Sequence, residues 1–418
     1  SEISLGRKPE TEVDIIDEAD EFLDSLSSNV ELNLTRLSAS LKILGTDSEK
    51  SEMSAKKIIQ LIELEEANKK ALGIDENKVY QIDETRIGEI LRILSSNIEL
   101  ETEIELDELN YANIALEAAH DFVDSLKDTY LTYRKEEDNI YARLVTTNLE
   151  KKFDEIVSGN KVLVLMSGTL HSDEVLKHIY GIKEFKKVDA ETLSQGMIEI
   201  IKTGKEFDCR YSNFENGRHS RDDYLEALST AIKKAEKPAL VHVNAFSDLP
   251  SLDESFRLNL VNLSSREDLK ILQENDKKGK AVVEFKEGKF DILFTTKCSR
   301  GIDFPGKTCN SVVFTKYPNP NVKDTFWKIL QNTHPDYYWE FYKDKARREF
   351  LQRIYRAVRS KDDHVYVLSP DSRVLEAVRQ LQEMEIYSHF NSSLSQTILT
   401  VGNITVYNGT TNDEDNII

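Results

Sequence analysis

Four short stretches of this chain carry side chains that could act on a phosphoryl group. Asp17-Glu18-Ala19-Asp20 closes the short apolar run at 13–17. There one carboxylate can hold a phosphate-bound magnesium while its neighbour orients an attacking water. Ser167-Gly168-Thr169-Leu170 ends a second apolar run, 162–166, and offers two hydroxyls around a flexible glycine that can report between a nucleotide and a neighbouring surface. Gly301-Ile302-Asp303-Phe304-Pro305-Gly306 follows a third run, and two glycines around an acid suit a tight loop at a domain interface. In Gln352-Arg353-Ile354-Tyr355-Arg356-Ala357-Val358-Arg359, helical spacing puts Gln352, Arg356 and Arg359 on one face while Ile354 and Val358 pack inward. Guanidinium groups gathered in this way stabilise charge developing on a transferred phosphoryl group. Each stretch alone has a plainer reading: an acidic strand end in an acidic chain, two ordinary turns, and a solvated basic face.

A fifth match is rejected. GIDFPGKT at 301–308 satisfies the phosphate-loop pattern of Gly, four residues, then Gly-Lys-Thr. That loop needs a following helix and a row of backbone N–H donors, yet Pro305 has none and 311–315 reads as a strand. Between Phe326 and Phe350, Trp327, Tyr337, Tyr338, Trp339, Phe341 and Tyr342 stand among Lys and Arg residues. Aromatics interleaved with bases can stack single-stranded bases and grip phosphates, and a helical core uses the same aromatics. No HExxH or other paired-histidine spacing and no GxSxG elbow occurs, which argues against metalloprotease and serine hydrolase chemistry.

The elements that must position these residues alternate in character. A chain of 418 residues has room for two or three domains. The run at 13–17 suits a buried strand with its functional end at the carboxyl edge. Residues from about 26 to 127 are charged and helically periodic, as in 55–72 and 106–126, and read as an inserted helical domain. Strand signals at 140–146 and 162–166 predict that the α/β sheet resumes there. Further strands are expected at 239–243, 290–295, 311–315 and 364–368, separated by helices such as 222–235, giving a second α/β domain. The polar stretch from about 392 to 418 is expected to be loosely packed.

Composition bounds the partners. The 75 acidic and 55 basic residues give a net charge of -20, which repels a polyanion unless basic residues gather locally, as they do at 343–361. Cys209, Cys298 and Cys309 form no CxxC pair, consistent with a reduced cytoplasmic chain. No signal peptide or membrane-spanning run is read, so no membrane partner is expected.

In this order, DEAD at Asp17, SGTL at Ser167, GIDFPG at Gly301 and the Gln352–Arg356–Arg359 motif resemble motifs II, III, V and VI of superfamily 2 helicases of the XPD and DinG type. The resemblance spans roughly residues 13 to 373. It implies an α/β fold of two RecA-like motor domains, the first incomplete (1–25 and 128–175), an inserted mainly helical Arch-like domain (26–127), and a second RecA-like domain with a poorly ordered tail (176–418). It further implies ATP hydrolysis with Mg2+ and 5′ to 3′ movement along single-stranded DNA in repair, with repair proteins as partners through the helical insert. By the same resemblance Asp17 would hold magnesium, Glu18 would activate water, and Gln352, Arg356 and Arg359 would sense the phosphates. Ser167, Thr169, Gly301 and Asp303 would serve nucleotide binding and its coupling to the strand. DEAD-box RNA helicases match less well, since they usually carry SAT and HRIGR where this chain has SGT and QRIYR.

Departures from the pattern bear on activity. The family usually has DEAH for DEAD here, a glycine for Tyr355 and a glutamate for Arg300. Its phosphate loop and iron-sulfur cysteines normally stand ahead of motif II, so both are expected upstream of this chain and the presence of a cluster stays open. This chain alone is expected to be inactive in ATP turnover. The alternative is a non-catalytic, degenerate module that binds DNA or protein.

Overall fold

Strand Val13–Ile16 lies parallel to Val162–Leu165, with Val13 opposite Val162 and Ile16 opposite Leu165. The computed structural model that establishes this pairing describes residues 12–27, 29–157, 162–191, 196–276, 278–296, 301–390, 395–401 and 404–405. Cys298 and Arg300 lie outside the described residues. Both strands end at the same edge, which carries Asp17 from one and Ser167 from the other, an arrangement that only a parallel pair gives. Ser395–Val401, expected to be loosely packed, instead runs antiparallel to Val162–Leu165 and to Lys186–Glu191. Its TILTV core is β-branched and apolar, and that local preference outweighs the polar composition around it.

The second sheet holds five strands in the order Ile292–Thr295, Ala239–His242, Ser311–Phe314, His364–Leu368 and Met197–Ile200, all parallel. The four strands expected from apolar runs are present. Ala239–His242 and Ser311–Phe314 are buried at every position, as central parallel strands covered on both faces must be. Met197–Ile200 was not foreseen, because an edge strand of four residues containing Glu199 has no clear apolar run.

Between helices Ala19–Ser25 and Leu149–Val157 the chain builds a separate unit. Helices Leu34–Ile43, Glu49–Leu72, Ile87–Ser96, Ile98–Leu106 and Ala112–Phe122 pack on a four-stranded antiparallel sheet. Asn33, Ser48 and Asn97 cap three of these helices through their side chains, satisfying N–H groups that would otherwise lack partners. The strand read at 140–146 belongs here. Asn139–Thr146 pairs with Thr129–Glu136 and with Asn29–Asn33, and does not rejoin the parallel sheet. The tight turn at Glu137, with φ of 53°, makes this a local hairpin. A hairpin forms at far lower loop-closure cost than a parallel crossover.

Helix Pro335–Tyr355 joins the two α/β units. Its 21 residues span about 31 Å at 1.5 Å per residue. Tyr338, Phe341 and Tyr342 enter the same core as Leu176 and Tyr180 of the first unit, whereas Phe350 and Ile354 pack against Phe314 and Val367 of the second. The aromatics that could have stacked bases are therefore mostly core, Trp327 included, while Trp339 is 56% exposed. No helix among the described residues is long and apolar enough to cross a membrane.

Candidate active site

Asp17 and Glu18 stand exposed at the end of the first strand. The Asp17 carboxylate accepts the Glu18 N–H at 2.8 Å, and Glu18 adopts left-handed backbone angles of 49° and 44° as it starts helix Ala19–Ser25. Such a conformation is uncommon for a residue with a side chain and is held only where its surroundings fix it. Here the Ala19 N–H donates to the Met166 carbonyl at 2.8 Å, tying the acidic turn to the neighbouring strand.

Asp20 is fully buried and is the hub of the site. It accepts from Ser167 Oγ at 2.6 Å, Thr169 Oγ1 at 3.2 Å and Gln352 Nε2 at 2.5 Å. Gln352 Nε2 also reaches Thr169 Oγ1 at 2.9 Å. Three of the four motifs thus meet on one carboxylate for which the sequence suggested no role.

Gln352 does not share a helix face with both arginines. The helix ends at Tyr355, Arg356 forms its cap, and Arg359 lies in the following loop. The chain leaves the helix because the Arg356 carbonyl is taken by the Phe304 N–H at 2.7 Å and Asp363 accepts the N–H groups of Arg359 and Ser360 at 2.6 and 2.7 Å. The arginines converge all the same. Arg356 Nη1 and Arg359 Nη2 bind the same oxygen of Asp303, at 2.9 and 2.5 Å. Burial raises the Asp303 pKa, but bonds from Arg359 and Arg356 outweigh it and hold the carboxyl below its ordinary value. Gly301 and Gly306 take positive φ of 72° and 59° around this acid. The segment 301–308 ends in a single 3-10 turn, Gly306–Thr308, and leads into strand Ser311–Phe314, so it does not have the helix that a phosphate loop requires.

One helical turn beyond Asp20 lies a cluster that sequence reading missed. Asp24 accepts from Arg348 Nη1 and Nη2 at 2.9 and 3.0 Å and from Lys345 Nζ at 2.7 Å, and meets His171 Nε2 at 3.0 Å. Arg348 Nε donates to Asp344 at 2.8 Å, and its side chain is 3% exposed. Burial opposes the Asp24 charge, yet the guanidinium and the imidazole keep its pKa well below the usual range. Burial and the same guanidinium lower the His171 pKa below its ordinary value. The available signal was the one-turn spacing that puts Asp20 and Asp24, and likewise Arg348 and Gln352, on common faces.

A second concavity, of about 1690 Å³, opens at the carboxyl edge of the second sheet. Asn244 and Lys316 follow two of its strands, and Trp339, Lys343 and Arg347 come from the long helix. Lys202, Arg210, Arg373 and Arg379 add positive charge to a chain whose net charge is negative.

Magnesium bound with a nucleotide takes one or two carboxylates and completes its shell with phosphate oxygens and water. The exposed Asp17 fits that use, and no cluster of three metal-ligating groups occurs among the described residues. Cys209 and Cys309 are buried in separate cores of the second unit, and burial pushes the Cys309 thiol up to about 12. These two do not fit an iron-sulfur ligand set.

Residues 228–388 match the helicase C-terminal domain family. The fold is similar to an apo XPD structure at TM-score 0.50 and 18% identity, covering 88% of this chain and 74% of that one. It is also similar to S. tokodaii Xpd4 at TM-score 0.55 and 16% identity, covering 96% and 76%. No curated protein sequence matches. The chain thus carries a match to the helicase C-terminal domain over 228–388 and, across most of its length, a two-sheet α/β fold similar to that of the XPD structures.

Proposed function

We propose that this chain is the larger part of an ATP-dependent DNA helicase that moves 5′ to 3′ on single-stranded DNA, in the cytoplasm, in DNA repair. The observation that carries the reading is the meeting of Ser167, Thr169 and Gln352 on Asp20, three residues after the exposed pair Asp17 and Glu18. In this reading Asp17 would hold Mg2+ on the phosphates of ATP, and Glu18 would orient the attacking water. Magnesium supplies neutralisation of phosphate charge when bound. Arg356 and Arg359 would exchange Asp303 for phosphate oxygens, since both partners are anionic and the acid is half exposed. Gly301 lets the chain turn so that Asp303 reaches them.

Turnover should need a phosphate-binding loop, which the pattern at 301–308 does not supply because it leads into a strand. The same fact favours a second reading, a module that binds DNA or protein without turnover. The helical insert, with 21 acidic and 11 basic residues between 26 and 127, would serve repair proteins rather than the strand.

The strand would follow the cationic groove of the second unit, where Trp339 offers an exposed ring. Loss of one stacked base costs roughly 1–3 kcal/mol. Trp339→Ala should therefore weaken binding of a fluorescent oligothymidylate about tenfold in an anisotropy titration at fixed salt. Unchanged affinity would remove the groove as the strand path.

A further inference from the structure

Helix Ala19–Ser25 is only seven residues long, too short to hold its own conformation in water, so its orientation comes from what grips it. Two carboxylates on one of its faces are gripped by two residues on one face of helix Pro335–Tyr355: Asp20 by Gln352 and Asp24 by Arg348. Each pair of positions is separated by four residues, so the rungs run in opposite directions along the two helices and match in rise. The first rung is a single hydrogen bond donated by the Gln352 side-chain amide. The second is a charged, two-pronged bond from a buried guanidinium whose remaining Nε is fixed by Asp344, leaving the fork little freedom to swing.

We infer that Arg348 is a positioning residue for the carboxylate turn: by clamping Asp24 it fixes the helix whose first residue follows Glu18. Arg348 touches no reacting atom in this reading. Its nearest approach to the hub is 3.7 Å, from Nη1 to Asp20 Oδ2. Lys345 and His171 also meet Asp24, but neither can replace the fork: the lysine ammonium is a point charge and the imidazole reaches Asp24 through one ring nitrogen. A lysine at position 348 would keep the charge and lose the two-pronged geometry.

The consequence for turnover rests on the ATPase reading, whereas the clamp itself can be tested without it. Amide hydrogen exchange is measured by mass spectrometry on this chain and on Arg348→Ala and Arg348→Lys. The inference expects exchange in 19–25 to rise about tenfold or more in Arg348→Ala. Protection elsewhere in the first sheet should persist, and Arg348→Lys should fall between. A uniform rise over the whole chain, or wild-type exchange in 19–25, overturns it. If the alanine variant does not fold, the lysine variant decides by the same criterion. In a protein that also carries the phosphate loop, kcat should fall roughly 10- to 100-fold with the KM for ATP little changed, the size seen when an outer-shell partner is lost. A wild-type protein without turnover would count against the ATPase reading, and exchange in 19–25 would still decide the clamp.

Discussion

Arg356→Ala is expected to lower DNA-stimulated ATP turnover by about 10³-fold or more in a protein that carries its phosphate loop, the range an arginine finger supplies. The side chain is 11% exposed and already aimed by Asp303. Little reorganisation is then needed when a phosphate replaces the carboxylate, and that is the condition under which a fixed charge lowers a barrier most. Arg359 shares the same oxygen but is 42% exposed and anchored in a loop. Its replacement should cost less. Phosphate release measured on both variants at saturating ATP gives the comparison, and equal loss would show that the two guanidiniums act as one unit.

The second large effect is on stability. Asp24→Ala leaves the Arg348 guanidinium buried with one of its principal partners gone, a change expected to cost about 3–5 kcal/mol. The pH dependence follows from the direction of the shift. Asp24 has a folded pKa well below its unfolded value, so its stabilising contribution is complete above the unfolded pKa of about 3.9 and is lost as pH falls through the folded value. Urea unfolding of the wild type at pH 7 and near pH 3 should show a steep acid loss. Asp24→Asn should begin less stable and lose less between the two pH values. A variant with the wild-type acid slope would contradict the assignment.

How far the sequence reached differs by element. Central parallel strands such as Ala239–His242 were legible because burial on both faces demands an uninterrupted apolar run. The strand at 140–146 was legible as a strand but not in its partner, since periodicity reports which face is buried and not which sheet lies beside it. The chemistry was visible as types and spacings around Asp17, Ser167, Asp303 and Gln352. The helix end at Tyr355 was hidden because it is imposed by the N–H of Phe304, far away in the chain, and by Asp363 accepting from the loop that follows the helix. Arg348, His171 and Asp24 were hidden for a related reason. A buried ion cluster is assembled from distant charged residues, and in a chain so rich in charge nothing local distinguishes them from a solvated face.

The account stands on the acidic turn and the arginine loop serving one nucleotide. The most direct test is phosphate release from ATP, with and without single-stranded DNA, by a loop-containing protein and its Glu18→Gln variant, alongside nucleotide binding by both. The account predicts turnover that DNA accelerates, and a variant that still binds nucleotide but does not hydrolyse it. A wild-type protein with its loop that does not turn over, or a Glu18→Gln variant that hydrolyses at the wild-type rate, would contradict it.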